Sequence, residues 1–158
     1  MTDRTLNDKP MISRRNLLLG GAALIVLSPA YAGYRYWFAP QFIGVALTPP
    51  EALARVQRGQ ITLIDIRRPD EWARTGSPQG AVPLDMRRDD FIEALSAAVN
   101  GNRDAPIALI CAGGVRSARL GNRLLAAGFG NVLDVPEGMM GSSAGPGWLA
   151  RGLPVIKE

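Results

Sequence analysis

The chain contains no histidine and a single cysteine, Cys111. Without histidine, neither Ser-His-Asp nor Cys-His catalysis is available. One cysteine excludes an internal disulfide and, with no histidine beside it, leaves no donor set for zinc. Aromatic residues are scarce at 6 %, and the basic side chains do not interleave with them. Nucleic-acid binding is therefore not expected. The net charge of +4 is small, and half of it arises within the first 32 residues. Any chemistry must run on Cys, Arg, Asp, Glu, Lys, Ser or backbone groups. What is present is 158 residues with 47 % apolar content, enough for one ordinary domain and a tail.

The tail lies at the N-terminus. From Asn16 to Tyr34 no side chain is charged. Ser13-Arg14-Arg15-Asn16-Leu17-Leu18 resembles a twin-arginine export signal, which predicts contact with export machinery through Arg14 and Arg15. Ala30-Tyr31-Ala32 has the small residues of a signal-peptidase site. Residues 1–32 are thus expected to be an export signal cleaved near Ala32, or else an uncleaved anchor with membrane contact through residues 16–38. As a helix the uncharged run would span about 29 Å. Basic residues precede it in both readings, so the remainder is expected outside the cytoplasm, in the periplasm. Residues 33–44 read as a connector and 45–158 as the folded domain.

Within that domain, short apolar runs alternate with helical patterns. Val45–Leu47, Ile61–Ile66, Ala81–Met86, Pro106–Ile110 and Asn131–Val135 are expected strands. Thr48-Pro49-Pro50-Glu51 has the spacing of a capping box with proline in the first turn, and Gly59 stops that helix. Pro69–Thr75 fits one or two helical turns. Phe91, Leu95 and Ala98 share a helical face, and Ala118, Leu120, Leu124, Leu125 and Phe129 recur at near-helical spacing. Strand–helix alternation predicts an α/β fold, a five-stranded, mostly parallel sheet with helices on both faces. Ligands of such sheets bind at the carboxyl ends of the strands, and Cys111 stands at one of them.

The stretch Cys111-Ala112-Gly113-Gly114-Val115-Arg116-Ser117 is a strand–glycine loop–helix junction. Gly113 and Gly114 allow successive N–H groups to turn inward, and a helix start adds its positive end. Helix N-termini favour thiolate over thiol. Arg116 adds a fixed charge with a bidentate fork for an anionic substrate. The loop alone leaves two readings open, an activated nucleophile or a buried inert cysteine. Its length narrows the chemistry. A phosphatase-type loop has five residues between cysteine and arginine; here there are four, which encloses less space and suits a sulfur atom better than a phosphate.

Two further stretches extend the pattern. Leu63-Ile64-Asp65-Ile66-Arg67-Arg68-Pro69-Asp70-Glu71-Trp72 resembles the first rhodanese signature, D-x-R-x-x-x-E-[YW], at Asp65, Arg67, Glu71 and Trp72. Gly147-Trp148-Leu149-Ala150-Arg151-Gly152-Leu153-Pro154-Val155 is similar to the closing segment of that family, and Cys111–Val132 is similar to its active loop, helix and next strand. The resemblance runs over about residues 45–156. It implies a rhodanese-like fold and a sulfurtransferase with no metal or organic cofactor. Cys111 would be the nucleophile that takes sulfur from a small donor such as thiosulfate and passes it, as a persulfide, to a thiol or cyanide. The N–H groups of Ala112, Gly113, Gly114, Val115 and Arg116 would hold that sulfur, Arg116 would orient the donor, and Asp65, Arg67 and Ser117 would support the loops.

Two departures stand out. The second half of the signature often reads G-H-I-P-G-A; here Gly80-Ala81 remain, the histidine is absent and the spacing is altered. The segment after Glu137 is longer than the plain family ending. Met139 and Met140 are expected to pack, and 141–147 reads as a solvent loop or a lid. The competing functions are a non-catalytic rhodanese module that binds a partner protein in the periplasm, and a phosphatase or arsenate reductase on the same fold.

Overall fold

The computed structural model describes residues 41–157. The proposed signal, the paired arginines and most of the connector lie outside the described residues. Among the described residues, no helix is long and apolar enough to cross a membrane.

The chain enters at β1 (Val45–Ala46) and continues into α1 (Pro49–Gln57). The capping box forms as its spacing predicts. Glu51 N–H donates to Thr48 Oγ1 at 3.4 Å, and Thr48 N–H donates to Glu51 Oε2 at 2.8 Å. Next come β2 (Thr62–Asp65), α2 (Pro69–Thr75), β3 (Ser77–Pro78), β4 (Val82–Pro83) and α3 (Phe91–Ala98). Then follow β5 (Ile107–Ile110), α4 (Val115–Ala126), β6 (Val132–Asp134), α5 (Gly147–Ala150) and β7 (Val155–Ile156). Five strands form one sheet in the order β1-β6-β5-β2-β4, and all its pairings are parallel. The five expected strands are these five.

Because side chains alternate across a strand, each apolar run feeds two cores. Ile64, Leu109 and Cys111 face one side with Phe91 and Leu95 of α3 and Leu120 and Leu124 of α4. Leu63, Ala108 and Ile110 face the other with Ala52 of α1 and Trp148 of α5. That two-sided burial explains why β2 and β5 read as continuous apolar runs.

The structure differs from expectation in three places. The strand expected over 81–86 shortens to Val82–Pro83, although Leu84 N–H still donates to the Asp65 carbonyl at 2.9 Å. β3 and β7 pair antiparallel, Ser77 opposite Ile156 and Pro78 opposite Val155, a ribbon too short to produce a sequence period. Finally, Gln41–Ile43, read as the end of a connector, dock on α4. Ile43 N–H donates to Asn122 Oδ1 at 3.1 Å and Asn122 Nδ2 donates to the Gln41 carbonyl at 2.8 Å, while Phe42 packs on the core.

The tail after β6 folds back over the end of β5. Met139 and Met140 N–H groups donate to the carbonyls of Cys111 and Ala112, both at 2.8 Å. Met139 packs as expected, whereas Met140 is exposed. Glu137 is buried; Arg151 grips both its oxygens at 2.8 Å and Gly147 N–H donates to one at 3.0 Å. The stretch 141–147 is therefore anchored against the domain. Its Gly141 carbonyl would lie 3.3 Å from a Cβ on Gly113.

Candidate active site

Cys111 follows the last residue of β5, at the carboxyl edge of the parallel sheet, with 1 % of its surface exposed. Gly114 caps α4 from the left-handed region, with φ 80° and ψ −28°. An L side chain disfavours that conformation, and a Cβ here would also run into the Pro136 carbonyl. Glycine is thus required by both conformation and close approach. Val115 N–H donates to the Gly113 carbonyl at 3.0 Å. This corrects the expectation that Val115 offers its N–H to a substrate, because the tight turn into α4 has already used it. Among the described residues, the N–H groups of Ala112, Gly113, Gly114 and Arg116 meet no acceptor, so the loop keeps unused donors at the positive end of a three-turn helix.

Ser117 lies in the first turn of α4 and is buried. Its hydroxyl donates to the Gly114 carbonyl at 2.9 Å, and the Cys111 thiol donates to that hydroxyl at 3.6 Å. Ser117 therefore touches the sulfur itself, which is more than support for the loop.

Arg116 turns its fork onto Glu71. Nη1 donates to Oε2 at 2.8 Å and Nη2 to Oε1 at 2.7 Å. Glu71 sits at a signature position, yet it is not among the expected site residues. The spacing placed it on α2 without saying what it faces. Hydrogen bonds from Arg116 hold the Glu71 carboxyl down at about 2, against burial, which acts the other way. The Arg116 guanidinium is raised by Glu71 and, more weakly, by the Cys111 sulfur. An open depression of about 400 Å³ lies beside it, lined by Arg68, Glu71, Met86, Arg87 and Arg116.

Because its folded-state value is depressed, Glu71 adds stability that is present above its ordinary value of 4.5 and lost as pH falls towards about 2. Glu71→Gln should therefore melt below wild type at neutral pH, with the two melting temperatures converging in acid. The pair is partly exposed, so added salt should shrink the gap. Thermal melts across pH at two salt concentrations measure both effects.

Asp65 and Arg67 lie behind this site. Arg67 is 1 % exposed; its Nε and Nη2 donate to Asp65 at 2.7–3.1 Å, its Nη1 to Thr75 Oγ1 at 2.8 Å and its Nη2 to the Gly76 carbonyl at 2.7 Å. Ser77 Oγ donates to Asp65 Oδ2 at 2.8 Å. Ser77 follows Gly76, the place held by histidine in G-H-I-P-G-A. From Gly76 to Ala81 the count matches that pattern, and the altered spacing belongs to the proline alone. A serine hydroxyl now completes the shell of Asp65. Among the described residues, no three Cys, Asp or Glu side chains gather into a metal-binding group.

The sheet order, the signature pair and the cysteine loop meet in one family, the rhodanese-like domain, which matches residues 48–144. The chain belongs to the rhodanese-like family. The polysulfide-sulfur transferase homodimer from Wolinella succinogenes is 28 % identical in sequence and superposes with a TM-score of 0.58 over 73 % of this chain and 80 % of that one. The thiosulfate sulfurtransferase from Pseudomonas aeruginosa shares the rhodanese-like fold, with 23 % identity and a TM-score of 0.57 over 72 % of this chain and 20 % of that one. A curated relative, the tRNA uridine(34) hydroxylase of Acinetobacter baumannii (strain AYE), is 29 % identical over 99 residues, 62 % of this chain. The chain spans about a third of that relative, 31 % of its length.

Proposed function

We propose that this chain is a sulfurtransferase that carries sulfane sulfur from a donor such as thiosulfate to a thiol or cyanide as a persulfide on Cys111. The observation that carries the reading is the loop itself: a thiol at its base, unused N–H donors around it and four residues between Cys111 and Arg116. In the first half-reaction the Cys111 thiolate attacks the outer sulfur of thiosulfate. A new S–S bond forms, the donor S–S bond breaks, and sulfite leaves with the electron pair. In the second, the acceptor attacks the outer sulfur and Cys111 departs as thiolate. This is covalent, two-step catalysis. The N–H groups of Ala112, Gly113, Gly114 and Arg116 stabilise the negative terminal sulfur. Arg116, shared with Glu71 and facing the open depression, draws the anionic donor towards the loop.

Purified protein given thiosulfate and cyanide should release thiocyanate and should leave an aryl phosphate intact. Hydrolysis of the phosphate without thiocyanate formation would replace this reading with the phosphatase one. We also propose that the domain works outside the cytoplasm, on the strength of Arg14-Arg15 and the uncharged run alone. Intact mass separates cleavage near Ala32 from a retained anchor, and a cytoplasmic full-length chain would contradict export.

A further inference from the structure

Glu137 is a buried carboxylate that the sulfur-transfer steps do not use. Arg151, which closes α5, grips both its oxygens, and Gly147 N–H donates to one. Glu137 opens a strap, residues 137–142, that runs to the base of the cysteine loop. The same helix donates twice more to the strap, from Trp148 N–H to the Gly138 carbonyl at 2.9 Å and from Leu149 N–H to the Met139 carbonyl at 3.1 Å. A Cβ on Gly138 would lie 2.5 Å from the Ala112 carbonyl oxygen, so the strap comes this close only with glycine there.

What the strap holds is a pair of carbonyls. Met139 N–H donates to that of Cys111 and Met140 N–H to that of Ala112. Each carbonyl shares a planar peptide unit with the N–H of the next residue, and in a trans unit the two point opposite ways. Among the described residues no peptide bond is cis. The Ala112 and Gly113 N–H groups therefore point away from the strap. Met139 packs with Ile110 and Trp148, on the sheet face opposite the Cys111 side chain, so the strap stands behind the loop as seen from the sulfur. The next two units are held by the loop and its helix. The Gly113 carbonyl accepts from Val115 N–H at 3.0 Å, and the Gly114 carbonyl accepts from Ser117 Oγ at 2.9 Å and Ala118 N–H at 3.0 Å. The first two units depend on the strap.

We propose that Glu137 is a positioning residue for sulfur transfer: its ion pair with Arg151 holds the strap that aims the Ala112 and Gly113 N–H groups at the sulfur carried by Cys111. Its purpose rests on the sulfurtransferase reading. Those two donors act on the charge that the terminal sulfur acquires during transfer, whereas Arg116 draws in the anionic donor. The clamp therefore bears on the reaction step rather than on donor binding. Without Arg151, the buried Glu137 carboxylate keeps the Gly147 N–H alone. A charge left this way must find water, and the strap moves with it.

Two measurements on the reduced full-length protein, made below the melting temperature of every variant, test this. In the amide NMR spectrum without a sulfur donor, Arg151→Met should shift or broaden the Ala112 and Gly113 signals and leave those of Gly114 and Val115 in place. In single turnovers with thiosulfate, the saturating rate of persulfide formation should fall at least about tenfold, since a misplacement of about 1 Å can cost about a hundredfold. The half-saturating thiosulfate concentration should not change. Arg151→Lys, which keeps the charge, should recover part of the rate; it carries both measurements if Arg151→Met does not fold. A clamp that is merely structural would lower the melting temperature and leave the two signals and the saturating rate alone. That result overturns the proposal, as does a loss confined to the half-saturating concentration. Wild-type protein that forms no persulfide would end the sulfurtransferase reading, while the amide signals still decide whether the clamp aims the loop.

Discussion

Cys111→Ser should lower sulfur transfer from thiosulfate to cyanide by at least about a thousandfold, the scale on which removing a nucleophile acts. The substitution is nearly isosteric, and the Ser117 hydroxyl that meets the thiol at 3.6 Å can meet an alcohol as well. The fold should therefore survive, with a stability loss of about 1 kcal/mol, the size of one altered hydrogen bond. Chemistry has no such compensation. A serine hydroxyl is protonated at neutral pH, the chain has no histidine to take its proton, and an oxygen cannot carry sulfane sulfur as a persulfide. Circular dichroism separates loss of activity from loss of fold. A folded variant retaining more than a tenth of wild-type turnover would move the reaction away from Cys111.

Arg67→Ala should cost about 3–5 kcal/mol, the range for breaking a buried ion pair from one side. The guanidinium is 1 % exposed and satisfies Asp65, Thr75 and the Gly76 carbonyl together. Its removal leaves the buried Asp65 carboxylate with Ser77 and the Arg67 backbone N–H as donors. A domain of this size has about 5–15 kcal/mol in total, so the variant should unfold at much lower denaturant or fail to accumulate. Removing both charges together, as Asp65→Asn with Arg67→Met, should cost less than Arg67→Ala alone, because no uncompensated charge remains. Urea titrations of the single and double variants measure the difference. A loss below about 1 kcal/mol for Arg67→Ala would mean that water reaches the pair.

The parts of this molecule legible in the sequence are those governed by local rules. Thr48 and Glu51 stand three apart, and that spacing sets the capping box whatever the tertiary context. Ile107–Ile110 is apolar throughout because both faces of β5 are covered, and the same holds for Leu63 and Ile64 in β2. The loop from Cys111 to Ser117 was readable because strand, glycines and helix follow one another along the chain.

The illegible parts arise from contacts between distant segments. Glu71 and Arg116 are 45 residues apart, and helical spacing on α2 gives no indication of which charge Glu71 will meet. Ser77 takes over the position of a histidine, and its bond to Asp65 spans 12 residues. Asp134, inside a short apolar run, has no local mark that separates a buried carboxylate from one facing water. Its burial follows from α4 crossing β6. Val115 shows the opposite limit. Its N–H was expected to face the substrate, and only the tightness of the turn at Gly113–Gly114 reveals that it is already taken.

The central claim is that Cys111 carries sulfur. Its most direct test is the mass of the peptide containing Cys111 after reduced protein meets thiosulfate. The account predicts that this peptide gains one sulfur atom, that cyanide removes it with stoichiometric thiocyanate, and that Cys111→Ser never gains it. Thiocyanate released in many turnovers while the Cys111 peptide stays unmodified at every time point would contradict the account.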